Sequence, residues 1–222
     1  MSEPTRCPRA LLRSGLSEEN LSLRDARLLV VSPSEVPSRP PFRGSIRLAR
    51  LDEGGDVDAI RAINLFFWGE MSQYVFDKSY EILDCMTYLA VPAPDEVGAD
   101  DPRCHGIAGA ISLFRDEGFL HIVALQVWPS WQGRGVGSTL LGKAFEEAEI
   151  LGYRCVKLGT TNDNLPALYF YQRAGFVIDE IVPFDEDDSE EGAGGFAGIP
   201  IKKEIRLSKK IAVPDLFKGE ES

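Results

Sequence analysis

At 222 residues and 44% hydrophobic content, the chain is long enough to bury one substantial core. Its formal net charge of −11 sets up a field that repels nucleic acid and anionic membranes, although its 24 Lys and Arg could still gather around a phosphate-bearing ligand. Cys7, Cys85, Cys104 and Cys155 form no CxxC pair and only His105 and His121 could assist them, so neither a metal site nor a disulfide framework is expected. No run has the length of a membrane span, and the opening MSEPTRCPRALLRSG places Pro and Arg where a signal peptide needs an apolar stretch. A reduced, soluble, cytoplasmic protein is the expectation.

Residues 1–44 are rich in Arg, Ser, Glu and Pro and end in Pro37-Ser-Arg-Pro-Pro-Phe42, which suits an extension or linker, in part disordered. Only Leu28-Leu-Val-Val31 has strand character there. Ser45 to Arg50 alternates as a half-buried strand does, and Asp56 to Phe67 repeats apolar residues at helical spacing behind an acidic first turn. Tyr88-Leu-Ala-Val-Pro92, Gly106 to Phe114 and Phe119 to Val127 read as an antiparallel meander, its first two strands joined by an acidic loop and its last two by Arg115-Asp-Glu-Gly118. A Gly-rich turn follows, then a helix with Leu140, Leu141, Ala144, Phe145, Ala148 and Leu151 on one face. Cys155 to Gly159 is a buried strand. Leu165 to Ala174 is a helix with Pro166 in its first turn and Gly175 at its end, and strands at Phe176–Val182 and Ile199–Leu207 complete the pattern. Between these strands, Asp185-Glu-Asp-Asp-Ser-Glu-Glu191 is too charged to pack and reads as a mobile loop.

The turn Gln132-Gly-Arg-Gly-Val-Gly-Ser138 links an apolar strand to an amphipathic helix, so its backbone N–H groups stand at a positive helix terminus suited to pyrophosphate. Two nucleotide motifs nearly fit. A G-x-G-x-x-G fingerprint starting at Gly133 meets Ser138 in its last place and lacks a preceding parallel βαβ unit. Gly137-Ser-Thr-Leu-Leu-Gly-Lys143 imitates a P-loop, yet Ala144 stands where a magnesium-binding hydroxyl is needed. A purely structural turn is the remaining alternative.

Gln132-x-x-Gly135-x-Gly137 after Leu125-Gln-Val127, followed by Asn164-x-x-Ala167, Tyr171 and Gly175-Phe176, resembles the GNAT superfamily of acyl-CoA-dependent N-acyltransferases. The resemblance spans about residues 45–207, and Thr160-Thr-Asn-Asp-Asn164 with Gly198-Ile-Pro-Ile201 is similar to one subgroup of it. It implies an α/β fold: a mixed, mostly antiparallel sheet of about seven strands flanked by about four helices and splayed between strands four and five. It implies a domain over 45–210, with a tail at 211–222. It also implies acetyl-CoA as acyl donor. The backbone of Leu125 and Val127 would pair with the pantetheine arm, and Gln132, Gly133, Arg134, Gly135, Val136, Gly137 and Ser138 would hold the pyrophosphate, Arg134 through its charge. Asn164 would hydrogen-bond the arm, Ala167 would leave room for it, and Tyr171 would face the sulfur.

Acyl transfer to an amine needs a neutral nucleophile, an N–H that polarises the thioester carbonyl and a proton for the leaving thiolate. The resemblance gives the second role to the Val127 N–H and the third to Tyr171. Many members carry a Glu as base on the fourth strand, where this sequence places His121, so His121 or a water relay would take the acceptor's proton. Trp68 and Tyr74 could wall the acceptor site, with Glu70, Asp77, Asp179 and Glu180 at its border. The reading is an N-acetyltransferase acting on a primary amine, carried by a small molecule or peptide, by direct attack in a ternary complex. The alternative is a catalytically inactive CoA-binding sensor or partner module. Neither nucleic acid nor membrane is expected as a partner, and the acceptor and oligomeric state are left open.

Overall fold

The computed structural model describes residues 40–52, 54–96, 104–184 and 195–212. Leu28–Val31, most of the expected extension, the acidic run at 185–191 and the tail beyond residue 212 lie outside the described residues.

The chain enters through β1 (Gly44–Leu48) and α1 (Gly54–Trp68). Ala59, Ile60, Ile63 and Asn64 form the buried stripe of α1, at the three- and four-residue spacing that one helix face requires. Asp56 in its first turn accepts from Arg47 Nη1 and Nη2 at 2.6 and 2.7 Å and from the Arg50 N–H at 2.8 Å, which ties the helix to β1. The Arg47 hydrogen bond holds that carboxyl below its ordinary pKa despite burial.

Three α-helices are present among the described residues, where about four were expected. After α1 the chain turns at Gly69 (φ 75°) into a hairpin, β2 (Ser72–Val75) and β3 (Lys78–Glu81), with Val75 and Tyr80 buried. Its two-residue turn, Phe76-Asp77, has positive φ at both positions (53° and 59°), as mirror-type hairpin turns require. The meander is β4 (Met86–Pro92), β5 (Gly109–Asp116) and β6 (Phe119–Val127). Then come α2 (Val136–Ile150), β7 (Cys155–Thr161), α3 (Leu165–Arg173), β8 (Val177–Pro183) and β9 (Lys203–Lys210).

The main sheet has seven strands in the order β1-β4-β5-β6-β7-β9-β8. Every neighbouring pair is antiparallel except β6–β7, which is parallel. The fold is therefore α/β with a mixed, mostly antiparallel sheet, as the resemblance implies. On one face α2 contributes Leu140, Leu141, Ala144 and Ala148 to the core, fully or almost fully buried. Phe145 of α2 meets Phe176, which in turn meets Tyr171, so α3 shares that face. The opposite face carries α1, through the Gln126 Nε2 to Asn64 Oδ1 bond of 2.6 Å, and the hairpin, through Tyr80 against Phe114.

Candidate active site

Strand β6 contains the irregularity that opens the site. Ser112 pairs with Ala124 and Leu113 with Ile122, which leaves Val123 as an extra residue, a bulge. A bulge bends its strand and ends local pairing. The parallel ladder to β7 accordingly covers only Leu120–Ile122 against Val156–Leu158, while β7 runs on to Thr161 in register with β9. The two strands diverge beyond the bulge into a wedge.

The direction of the β6 backbone in that wedge follows from one bond. The Trp128 N–H donates to the Ala108 carbonyl at 3.0 Å, on the β5 side. Amides alternate along a strand, so those of Val127 and Leu125 point toward the wedge, where no described strand pairs with them. At its mouth, Gln132 Nε2 donates to the Val127 carbonyl at 3.0 Å.

The turn after β6 has Gly133 and Gly135 at φ 74° and 89°, left-handed values that any Cβ would strain. Gly135 is the N-cap of α2 and has no side chain with which to cap it; the Thr139 N–H and hydroxyl both donate to the Gly135 carbonyl, at 3.0 and 3.1 Å, and close the helix's first turn. The amides of Val136, Gly137 and Ser138 thus lie ahead of the helical ladder, where an anion can use them. Gly133, Gly135 and Ser138 are exposed, and Val136 is buried as the helix's anchor. Arg134 lies elsewhere in this picture. Its guanidinium is bound to Glu96 and to the Pro40 carbonyl.

The third wall is α3. Asn164 is its N-cap and accepts from the Ala167 N–H at 3.3 Å, so the side chain expected to reach the pantetheine arm also starts the helix. Tyr171 is the one buried residue of α3, between Phe170 and Phe176 at centroid distances of 5.2 and 5.7 Å. Burial raises its phenol pKa, so it holds its proton throughout the neutral range. The walls meet at Gly137: a Cβ there would lie 3.4 Å from the Phe170 ring and 3.7 Å from Val127 Cγ2. The two motifs, separated in sequence, converge on the end of β6.

His121 occupies different surroundings. It is fully buried on the hairpin face, its ring 4.9 Å from both Phe76 and Tyr80 and 6.2 Å from Phe119, and neither ring nitrogen has a hydrogen-bond partner. Burial pushes its pKa down to about 4. It stands on the opposite face of the sheet from Tyr171, and the structure does not bring the two rings together.

Of the expected acceptor-side residues, Trp68 is half-buried with an unpartnered indole N–H, and Tyr74 is 61% exposed. Asp179 is exposed, and Glu70 is half-buried. Asp77 and Glu180 belong to a cluster that the sequence reading missed, bonding Arg206 Nη2 and Nη1 at 2.8 and 3.1 Å. Glu204 accepts from Arg206 Nη2 at 3.0 Å and from the Phe76 N–H at 3.1 Å. Burial alone would lower the Arg206 pKa, but the bonds to Glu204, Asp77 and Glu180 raise it. The available signal was the alternation in β9, where Glu204, Arg206 and Ser208 share a face and are nonetheless buried. The Thr160–Asn164 and Gly198–Ile201 segments also meet. Asn162 accepts from the Lys202 and Lys203 N–H groups at 2.7 and 2.9 Å and donates to the Pro200 carbonyl, while Asp163 accepts from the Phe196 N–H at 2.9 Å.

Among the described residues no group of His, Cys, Asp and Glu could hold a metal ion, and no helix is long and apolar enough to cross a membrane.

Comparison with known proteins matches residues 60–176 to the acetyltransferase (GNAT) family model. The uncharacterized N-acetyltransferase YvbK of Bacillus subtilis is 35% identical over 138 residues, covering 55% of this chain and 86% of its own length. The L-amino acid N-acyltransferase MnaT of Escherichia coli is 31% identical over 85 residues, 36% of this chain and 49% of that protein. The chain covers 46% of the uncharacterized protein YxbD of Bacillus subtilis, at 36% identity over 75 residues. It covers 24% of the uncharacterized N-acetyltransferase MJ1207 of Methanocaldococcus jannaschii. Among solved structures, a Bacillus subtilis acetyltransferase in complex with CoA superposes with a TM-score of 0.54 at 25% identity, over 77% of this chain and 100% of that one. A GNAT family acetyltransferase of Elizabethkingia anophelis with acetyl-CoA bound shares the fold, with a TM-score of 0.55 at 22% identity over 75% and 97% of the two chains. With the family model covering more than half of the 222 residues and the bulged, splayed sheet beneath it, the chain belongs to the GNAT acetyltransferase family.

Proposed function

We propose that this protein transfers an acetyl group from acetyl-CoA to a primary amine by direct attack in a ternary complex. The observation that carries the reading is the meeting of Gly137, Phe170 and Val127, which joins the pyrophosphate turn, the α3 motif and the unpaired edge of β6 around one wedge. The CoA bound to the Bacillus subtilis relative supports the choice of donor.

In this reading the Leu125 and Val127 backbone takes the pantetheine arm as an added strand, and amides from 133 to 138 take the pyrophosphate. The Val127 N–H polarises the thioester carbonyl. The amine nitrogen attacks the carbonyl carbon, the C–S bond breaks, and Tyr171, protonated by virtue of its burial, gives its proton to the CoA thiolate. The acceptor's own proton leaves to water, because His121 offers no accessible nitrogen. Residues 45–210 constitute the acetyltransferase domain.

Tyr171→Phe should lower kcat by about 10- to 100-fold while the Kd for CoA stays within about twofold, measured by free-thiol release and calorimetry. Unchanged turnover removes Tyr171 from the mechanism. The burial of His121 favours a second reading, a CoA-binding module without catalysis. A broad amine panel separates the two, with amino acids included because of the similarity to the L-amino acid N-acyltransferase. A pure binding module shows CoA-induced thermal stabilisation and no turnover above solvent hydrolysis.

A further inference from the structure

Neither sequence motif draws attention to Glu96. It closes the 3-10 turn Pro94–Glu96 after β4, and its side chain is only 4% exposed. Its Oε1 is bonded to Arg134 Nη2, and its Oε2 accepts from the backbone N–H of Arg43 at 3.0 Å. Arg134 is held from three further directions. Its Nε donates to the Pro40 carbonyl at 2.9 Å, its guanidinium lies 4.2 Å over the Trp131 ring, and its carbonyl accepts from the Phe42 N–H at 2.8 Å. Phe42 meets the same Trp131 ring edge-on at 6.1 Å.

Arg134 stands between Gly133 and Gly135, both left-handed. Glycines lose more conformational freedom on ordering than other residues, so a turn built on them binds an anion well only if something else fixes it beforehand. The fork of Arg134, 14% exposed, is committed to protein acceptors. That is the arrangement of a tether, and it differs from the direct phosphate contact implied by the family resemblance.

We propose that Glu96, together with Pro40–Phe42, is a positioning element for the CoA pyrophosphate, acting through Arg134 to hold the amides of the Gly133–Ser138 turn ready for the anion. The inference rests on the CoA reading above and deepens it. It also gives the segment immediately before β1 a part in the cofactor site.

The test titrates the full chain with CoA and with pantetheine, which lacks the pyrophosphate and nucleotide, using displacement calorimetry for the weaker ligand. In Glu96→Gln the ratio of the pantetheine Kd to the CoA Kd should fall about tenfold, and Arg134→Lys, which keeps the charge but not the fork, should lower it likewise. A general loss of stability weakens both ligands together and leaves the ratio unchanged, which overturns the proposal. Tighter CoA binding once Arg134 is released also overturns it, as does an Arg134→Lys variant with the wild-type ratio. Should Glu96→Gln not fold, Arg134→Lys decides alone. A wild-type chain that binds pantetheine as tightly as CoA removes the pyrophosphate site and this proposal with it; a wild-type preference for CoA that both variants retain removes the tether alone.

Discussion

The imidazole of His121 sits among three aromatic rings with neither nitrogen bonded, and its basicity is suppressed by that setting, to a pKa of about 4. The folded chain therefore binds this proton less readily than the unfolded chain, whose histidine titrates near the ordinary 6.5. Stability from this source is complete above pH 6.5 and is lost as the pH falls from there toward 4, by about 3 kcal/mol. His121→Phe should flatten the fall of the denaturation midpoint over that interval relative to wild type, and should leave the acidic limb of the pH–rate profile in place. Equal pH slopes for the two proteins would refute the suppressed basicity, and loss of the acidic limb would return His121 to proton transfer. The sequence pattern places His121 within the strand that becomes β6. Whether its nitrogens are reachable depends on Phe76 and Tyr80, which come from a hairpin that no local pattern announced. Arg134 carries the same lesson, because its partner Glu96 is remote in sequence and reaches it only through the fold.

At the scale of elements, the meander, α2 and α3 were legible because each repeats apolar residues at its own period and ends at Gly or Pro. The hairpin β2–β3 was not. Its turn is Phe76-Asp77 rather than the Asn-Gly type that signals a mirror turn, and a bulky residue at φ 53° is held there by tertiary contacts: the Glu204 carboxylate on its N–H and the Arg206 guanidinium 4.9 Å from its ring. The bulge at Val123 left no trace in the alternation either, yet it separates β6 from β7 and so creates the wedge. The hairpin's seat on the sheet is Gly159, where an added Cβ would collide with Val75 Cγ2 and Glu204 Oε1. Gly159→Ala should therefore cost about 1–3 kcal/mol in chemical denaturation, through displacement of the hairpin. It should also expose His121, seen as an imidazole pKa that rises toward 6.5 by NMR titration. A neutral effect on both would show that the hairpin does not depend on this contact.

At the scale of the molecule, the net charge of −11 bears differently on the two substrates of the proposed reaction. CoA is a polyanion and has to approach against the summed field before the oriented amides of the turn attract it. A protonated polyamine, in rapid exchange with the neutral form that reacts, is drawn by the same field. The screening length is about 30 Å at 0.01 M salt and about 10 Å at 0.1 M, so the long-range part of both effects fades across that interval while contact at the turn persists. The association rate constant of CoA, measured by stopped-flow, should rise about two- to fivefold over this range, and the KM of a cationic acceptor should rise as its attraction is screened. A CoA association rate that falls with added salt would show that a local positive potential at the turn outweighs the global charge. In that case a cation beyond Glu96's hold on Arg134 would have to supply it.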